Sequence, residues 1–266
     1  MPRRNLPAAL LLVCWCAASG CASLARKTPT PAAEISPREA AAIPVQPGER
    51  YFIIVFGSER TPKRPKYTHS WATVVKVTGG DNHEACTIEE HTISWMPASL
   101  NLRPMSLRVE PGVNLSLHAT MEEMLRNREH ISVWGPYEVG PGLAHRFQVQ
   151  KAFMESGQVG YQVIDIVGEA GRFGTGCDCI HAITDMDPLF DRSRYPLRFF
   201  GESASLNIVR QLHTRPLIIS PTADHRWLLH RLGLDQYPMK QGWYLGRTVP
   251  YTPENLECYL RHHDRN

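Results

Sequence analysis

Residues 174–188 read GTGCDCIHAITDMDP, and the fold of this stretch decides what the rest of the chain is built around. Two cysteines one residue apart precede an apolar run with helical spacing. They could be a metal site, a disulfide, a redox pair or a nucleophile. If CIHAITDM is a helix, Asp178 is its N-cap and Cys179 its first residue. The unpaired N–H groups and the positive dipole end there favour a thiolate, and one N–H can hold an oxyanion beside the sulfur. Cys177 lies outside the helix and gains less, so Cys179 is the nucleophile candidate. His181 is close in sequence, but side chains two apart on a helix diverge. It is read as a packing or hydrogen-bonding residue, and the base must come from elsewhere.

Working outward, YFIIVFG (51–57) is a continuous apolar run ending in Gly, the pattern of a buried strand. HSWATVVKV (69–77) and CTIEEHTISW (86–95) flank the turn-forming TGGDNHEA and read as a hairpin. With its centre near Gly80, His69 faces His91 across the pair. Directly opposed side chains share a face, so one histidine can act as base and the other orient it. A slip of one residue would part them, and Glu90 is the alternative third residue. TMEE (120–123) has the form of a capping box, and a helix is expected over 141–156 with Leu143, Phe147 and Met154 on one face. SASLNIVRQLH and PTADHRWLLHRLG have helical spacing, the second with a cap-like Thr222. Strands come mainly first and helices later. The fold class is therefore α+β, an antiparallel sheet with packed helices.

The order of HSWATV, EEHTISW, a Tyr-bearing strand GYQVIDIV and then GCDCIHAI resembles circularly permuted papain-like proteins. These are the permuted relatives of the NlpC-type cell-wall peptidases, which include the lecithin–retinol acyltransferase-like enzymes. DCIHAI is similar to that family's Asn-Cys-Glu-His-Phe-Val signature at the Cys, the His and the apolar positions, with Asp178 in place of Asn. The resemblance implies a permuted papain-like core over residues 50–190, with Cys179 as nucleophile, His69 as base and His91 as the orienting residue. It also implies an acyl-enzyme mechanism on an amide, ester or thioester, without cofactor or metal. Tyr161, Trp71 and Trp95 are candidate substrate contacts, weighed against core packing.

The N-terminus bears on location. A basic start, MPRRN, precedes the apolar run LPAALLLVCWCA and then ASGC, which resembles a bacterial lipoprotein signal ending at Cys21. Residues 1–21 are thus read as signal peptide and lipidation cysteine, and 22–49, rich in Ala and Pro, as a tether. The catalytic domain follows over 50–190, and 191–266 is a helical C-terminal extension packed on it. This organisation implies a membrane-anchored envelope protein, at the outer membrane facing the periplasm, acting on peptidoglycan peptides or lipid acyl groups. A net charge of +3, spread along the chain, gives no case for nucleic acid. Of seven cysteines, Cys14 and Cys16 would leave with the signal and Cys21 would carry the lipid, so Cys86, Cys177, Cys179 and Cys258 would remain as thiols, and a Cys86–Cys258 disulfide is open. Two other uses of the site compete. Cys177, Cys179 and His181, with His69 or His91, could bind zinc, or the fold could serve a non-catalytic lipoprotein that binds a partner.

Overall fold

A computed structural model describes residues 30–79, 83–104, 106, 108–163, 175–188, 190, 200–215, 217–244 and 248–250. Cys21, the signal segment and Cys258 lie outside them. The architecture is α+β, with two sheets and several helices. The main sheet has the order β10-β9-β6-β1-β2-β3, formed by β1 (Glu49–Glu59), β2 (Thr68–Thr78), β3 (Thr87–Ile93), β6 (His130–Val139), β9 (Met239–Gly242) and β10 (Thr248–Pro250). All its pairs are antiparallel except β6 with β9. A smaller sheet, β4-β5-β7-β8, joins β4 (Trp95–Pro97), β5 (Glu110–Asn114), β7 (Val159–Tyr161) and β8 (Thr175–Cys177).

β1 is apolar without alternation because both of its faces are covered. Ile53 and Val55, with Ala72, Val74 and Ile93 of β2 and β3, form one core with three helices. These are α4 (Pro141–Glu155), α5 (Cys179–Thr184) and α6 (Glu202–Thr214). Phe52, Ile54, Phe56, Trp71 and Val75 face the other way, against α3 (Leu117–Arg126) and α7 (Trp227–Arg231). Residues beyond 190 therefore do more than extend the domain: α6 closes the first core, and β9 and β10 complete the main sheet.

α6 lies unusually close to the sheet. A Cβ on Gly57 would sit 2.7 Å from Ser205 Oγ, and one on Gly201, where φ is +60°, would sit 2.7 Å from the Ser58 carbonyl oxygen. Gly201→Ala is expected to destabilise the domain by about 1–3 kcal/mol, from positive-φ strain and this clash together. A urea midpoint equal to that of the wild type would refute this.

Three expectations are corrected. The hairpin is not centred near Gly80: β2 runs to Thr78 and β3 starts at Thr87, and the register pairs Val74 with His91. The longer connection moves the centre, and every pairing moves with it. The helix placed at TMEE starts four residues earlier, at Leu117 rather than Met121, with Ser116 accepting the Ala119 N–H, and Thr120 bonds back to the Ser116 carbonyl from inside the helix. The second half of the supposed tether is structured. Two short helices, α1 (Pro31–Glu34) and α2 (Pro37–Ala41), pack on α4, where Gly142 leaves room for Ala40. Ala32 is fully buried in the first core. Helix formation there follows from Pro at the first turn of both helices and, in α2, from a complete Ser36–Glu39 capping box. Composition gave no sign of it.

Candidate active site

α5 forms as its residues dictate. Asp178 is an extended N-cap, and its Oδ1 accepts the N–H groups of Ile180 at 2.8 Å and His181 at 2.7 Å. Its Oδ2 lies 3.0 Å from His181 Nδ1, so His181 turns back onto its own cap. The helix is delivered by β8, whose Cys177 pairs with Tyr161 of β7. Gly176 is needed there, because a Cβ would lie 2.4 Å from Gln162 Oε1.

Cys179 is partly exposed and packs against the first core. The N–H groups of Ser70, Cys179 and Ile180 face its sulfur and favour a thiolate. Burial and the neighbouring Asp178 carboxylate outweigh them and push the thiol up to about 12. The activated thiolate expected from the helix N-terminus is therefore absent in the resting protein, for two reasons. Three N–H groups do not repay desolvation of the sulfur, and the residue that caps the helix carries a negative charge.

The Ser70 N–H brings the sulfur to the start of β2, next to His69. That imidazole is buried, which pushes it down to about 3. Its Nε2 is 2.9 Å from Ser94 Oγ, and its ring stacks on Trp71 with centroids 5.5 Å apart. His69 Nδ1 has no hydrogen-bond partner among the described residues. Thiol and imidazole are thus both neutral and not hydrogen-bonded to each other, with one imidazole nitrogen uncommitted.

His91 is not brought to this site. It lies opposite Val74, five residues along β2 from His69, or about 16 Å at the rise of a strand. Alternation also gives it the face of Val74 rather than that of His69. Its Nε2 pairs instead with Glu89 at 3.0 Å. The residue that holds His69 is Ser94, which the sequence reading missed. With the true register it falls in line with Trp71, on the row of His69, so its signal was present but displaced by the turn.

The three aromatic candidates are core residues. Trp71 is fully buried and stacks on Phe56 as well as His69. Trp95 is buried in the first core, its Nε1 3.4 Å from the Gly160 carbonyl. Tyr161 is buried beside the cysteines, and that burial holds its hydroxyl well above the usual phenol range. Cys86, Cys177 and Cys179 are not joined to one another by disulfides, and Cys86 donates to the His83 carbonyl at 3.1 Å. Cys177 Sγ is turned to the Asp178 carbonyl. Among the described residues, no three His, Cys, Asp or Glu side chains are placed to hold a metal ion. No helix among them is long and apolar enough to cross a membrane.

No protein-family model matches the sequence, and no curated protein or solved structure is detectably similar to it.

Proposed function

We propose that this chain is an envelope-tethered cysteine hydrolase or acyl-transfer enzyme with a permuted papain-like core. In this reading Cys179 attacks an amide, ester or thioester carbonyl and His69 is its base. One observation carries it. An imidazole held at Nε2 by Ser94 keeps Nδ1 uncommitted, on the residue adjoining the amide that faces the Cys179 sulfur. Nucleophile–base hydrogen bonds are often loose before substrate binds.

Because the resting pair is neutral, attack and proton transfer proceed together. As Sγ bonds to the carbonyl carbon, its proton passes to His69 Nδ1, and Ser94 accepts from the Nε2–H. Charge gathers on the carbonyl oxygen, near the Cys179 N–H. Collapse expels the leaving group, which takes the proton from His69. Water or a second acceptor then resolves the thioester by the reverse sequence. Lipidation at Cys21 would place the enzyme at the outer membrane facing the periplasm. Peptidoglycan stem peptides and lipid acyl groups are the substrate classes, and nucleic acid is not one.

A neutral iodoacetamide series read by mass spectrometry on each cysteine tests the pair without a known substrate. His69→Ala is expected to slow Cys179 modification near neutral pH by roughly a hundredfold, the usual scale of base assistance, and Ser94→Ala by about tenfold. Equal rates in the wild type and His69→Ala would end the reading. A non-catalytic lipoprotein would then be favoured, and the thiol held at about 12 is the observation on that side.

A further inference from the structure

Four buried polar side chains stand in a row across the main sheet, whose order here is β6-β1-β2-β3. They are Glu129, leading into β6, Ser58 on β1, His69 on β2 and Ser94 just after β3, with exposures of 5%, 0%, 1% and 0%. Two of them are accounted for by the His69–Ser94 bond. The other two are not used by the proposed mechanism, yet they are bonded to each other: Ser58 Oγ donates to Glu129 Oε2 at 2.6 Å.

Ser58 and His69 are directly opposed in the β1–β2 register. Their side chains therefore share a face, with Cβ atoms about 5 Å apart. A hydroxyl has one proton, and Ser58 gives it to Glu129. Towards its cross-strand neighbour it offers lone pairs only. The surroundings are apolar, with Phe56 and Trp71 stacked alongside. Burying a carboxyl group here is costly to folding, and packing alone gives no reason for it.

We propose that Glu129 and Ser58 are positioning residues that stabilise the imidazolium formed when His69 takes the Cys179 proton, an inference that rests on reading His69 as the base. Glu129 supplies the countercharge from across β1, and Ser58, held by it, turns oxygen lone pairs towards the imidazolium ring. The charged groups facing Glu129 are Arg60, beyond β1, and Glu123 of α3, which is itself held by Arg126 and Asn127. Burial pushes Glu129 up to about 7, against the opposing effect of the Ser58 bond. Its negative charge is thus present above that pH and lost below it. His69 at about 3 and Cys179 at about 12 leave the neutral range clear. A step near neutrality in the reactivity of Cys179 reports Glu129 where Glu129→Gln removes it, and one that survives there belongs to another group, such as His181 against the Asp178 cap.

The test is the rate of Cys179 modification by iodoacetamide against pH, in the wild type, Glu129→Gln, Ser58→Ala and His69→Ala, on the protein from residue 22 onward. Over the steady rise of about tenfold per pH unit that a thiol far below its pKa shows, the wild type is expected to gain a further rise of roughly tenfold centred near neutrality, as one unit of proton affinity implies. Glu129→Gln should lose that extra rise while keeping the steady one, and Ser58→Ala should blunt it. A merely structural role would change the melting temperature without removing a step at a given pH. If the wild type has no step, or Glu129→Gln retains it, the proposal is overturned even where His69→Ala shows that the base is real. If His69→Ala changes nothing at any pH, the base reading fails, and the positioning role falls with it. Should Glu129→Gln fold poorly, Ser58→Ala alone decides, since a full step there contradicts a positioning role for its hydroxyl.

Discussion

Asp178→Asn is expected to speed alkylation of Cys179 by roughly ten- to a hundredfold, because removing an adjacent negative charge lowers a thiol by about one to two units. Two causes hold the thiol up, burial first and the Asp178 carboxylate second. Only the second can be removed without disturbing the packing. Asparagine caps a helix about as well as aspartate, so the bonds from Ile180 and His181 can persist. Stability should change little beyond the loss of the His181 contact. Asp178→Ala provides the control: it removes the charge and also the cap, at about 1 kcal/mol. A faster Cys179 in both variants, with a lower urea midpoint only in the alanine, is the expected pattern. No acceleration in either would mean that burial alone sets the thiol, and the account of this helix terminus would be wrong.

The largest loss of stability is expected from Asp187→Ala, about 3–5 kcal/mol, the usual effect of removing one partner from a buried ion pair. Arg146 of α4 and Asp187, just after α5, meet at 2.6 Å with side chains only 4% exposed each. Arg146 also donates to the Ile35 carbonyl between α1 and α2. Nearby, Thr30 Oγ1 donates to the Asp185 carbonyl at 2.8 Å. One guanidinium thus joins the N-terminal helices, α4 and the end of α5. Without Asp187 it stays in the core with its charge unopposed by that carboxylate. The double variant Arg146→Met with Asp187→Leu should recover much of the loss, since apolar groups of similar volume need no such compensation. Urea unfolding of the three variants measures this directly. A double variant as unstable as Asp187→Ala would show that shape, rather than charge, governs the contact. Limited proteolysis should also cut before residue 42 faster in Asp187→Ala, as the α1–α2 segment loosens.

How much was legible in the sequence follows from the range of the interactions involved. The start of α5 was legible to the residue, because an N-cap is a contact between neighbours: Asp178, Ile180 and His181 settle it among themselves. The α4 boundaries and the buried character of β1 were legible for the same reason, through spacing and composition. The third residue of the site was not. Whether His91 or Ser94 serves His69 depends on how many residues the β2–β3 connection uses, and turn composition indicates a turn without fixing its length. The structured part of the supposed tether escaped notice because Ala32 and Ala40 are small. They earn their places by fitting against α4, which no count of large apolar residues detects.

By itself, then, the sequence determined the α+β class, the helix led by Cys179 and the strand opened by His69, because hydrophobic periodicity and capping act over a few residues. Tertiary structure alone decided that Ser94 holds the imidazole, that α6, β9 and β10 complete the domain, and that Glu129 reaches Ser58 from 71 residues away. It also decided the state of the two central groups. A helix terminus and an imidazole have local tendencies, but burial comes from whatever the rest of the chain lays over them. Here that cover leaves thiol and imidazole neutral.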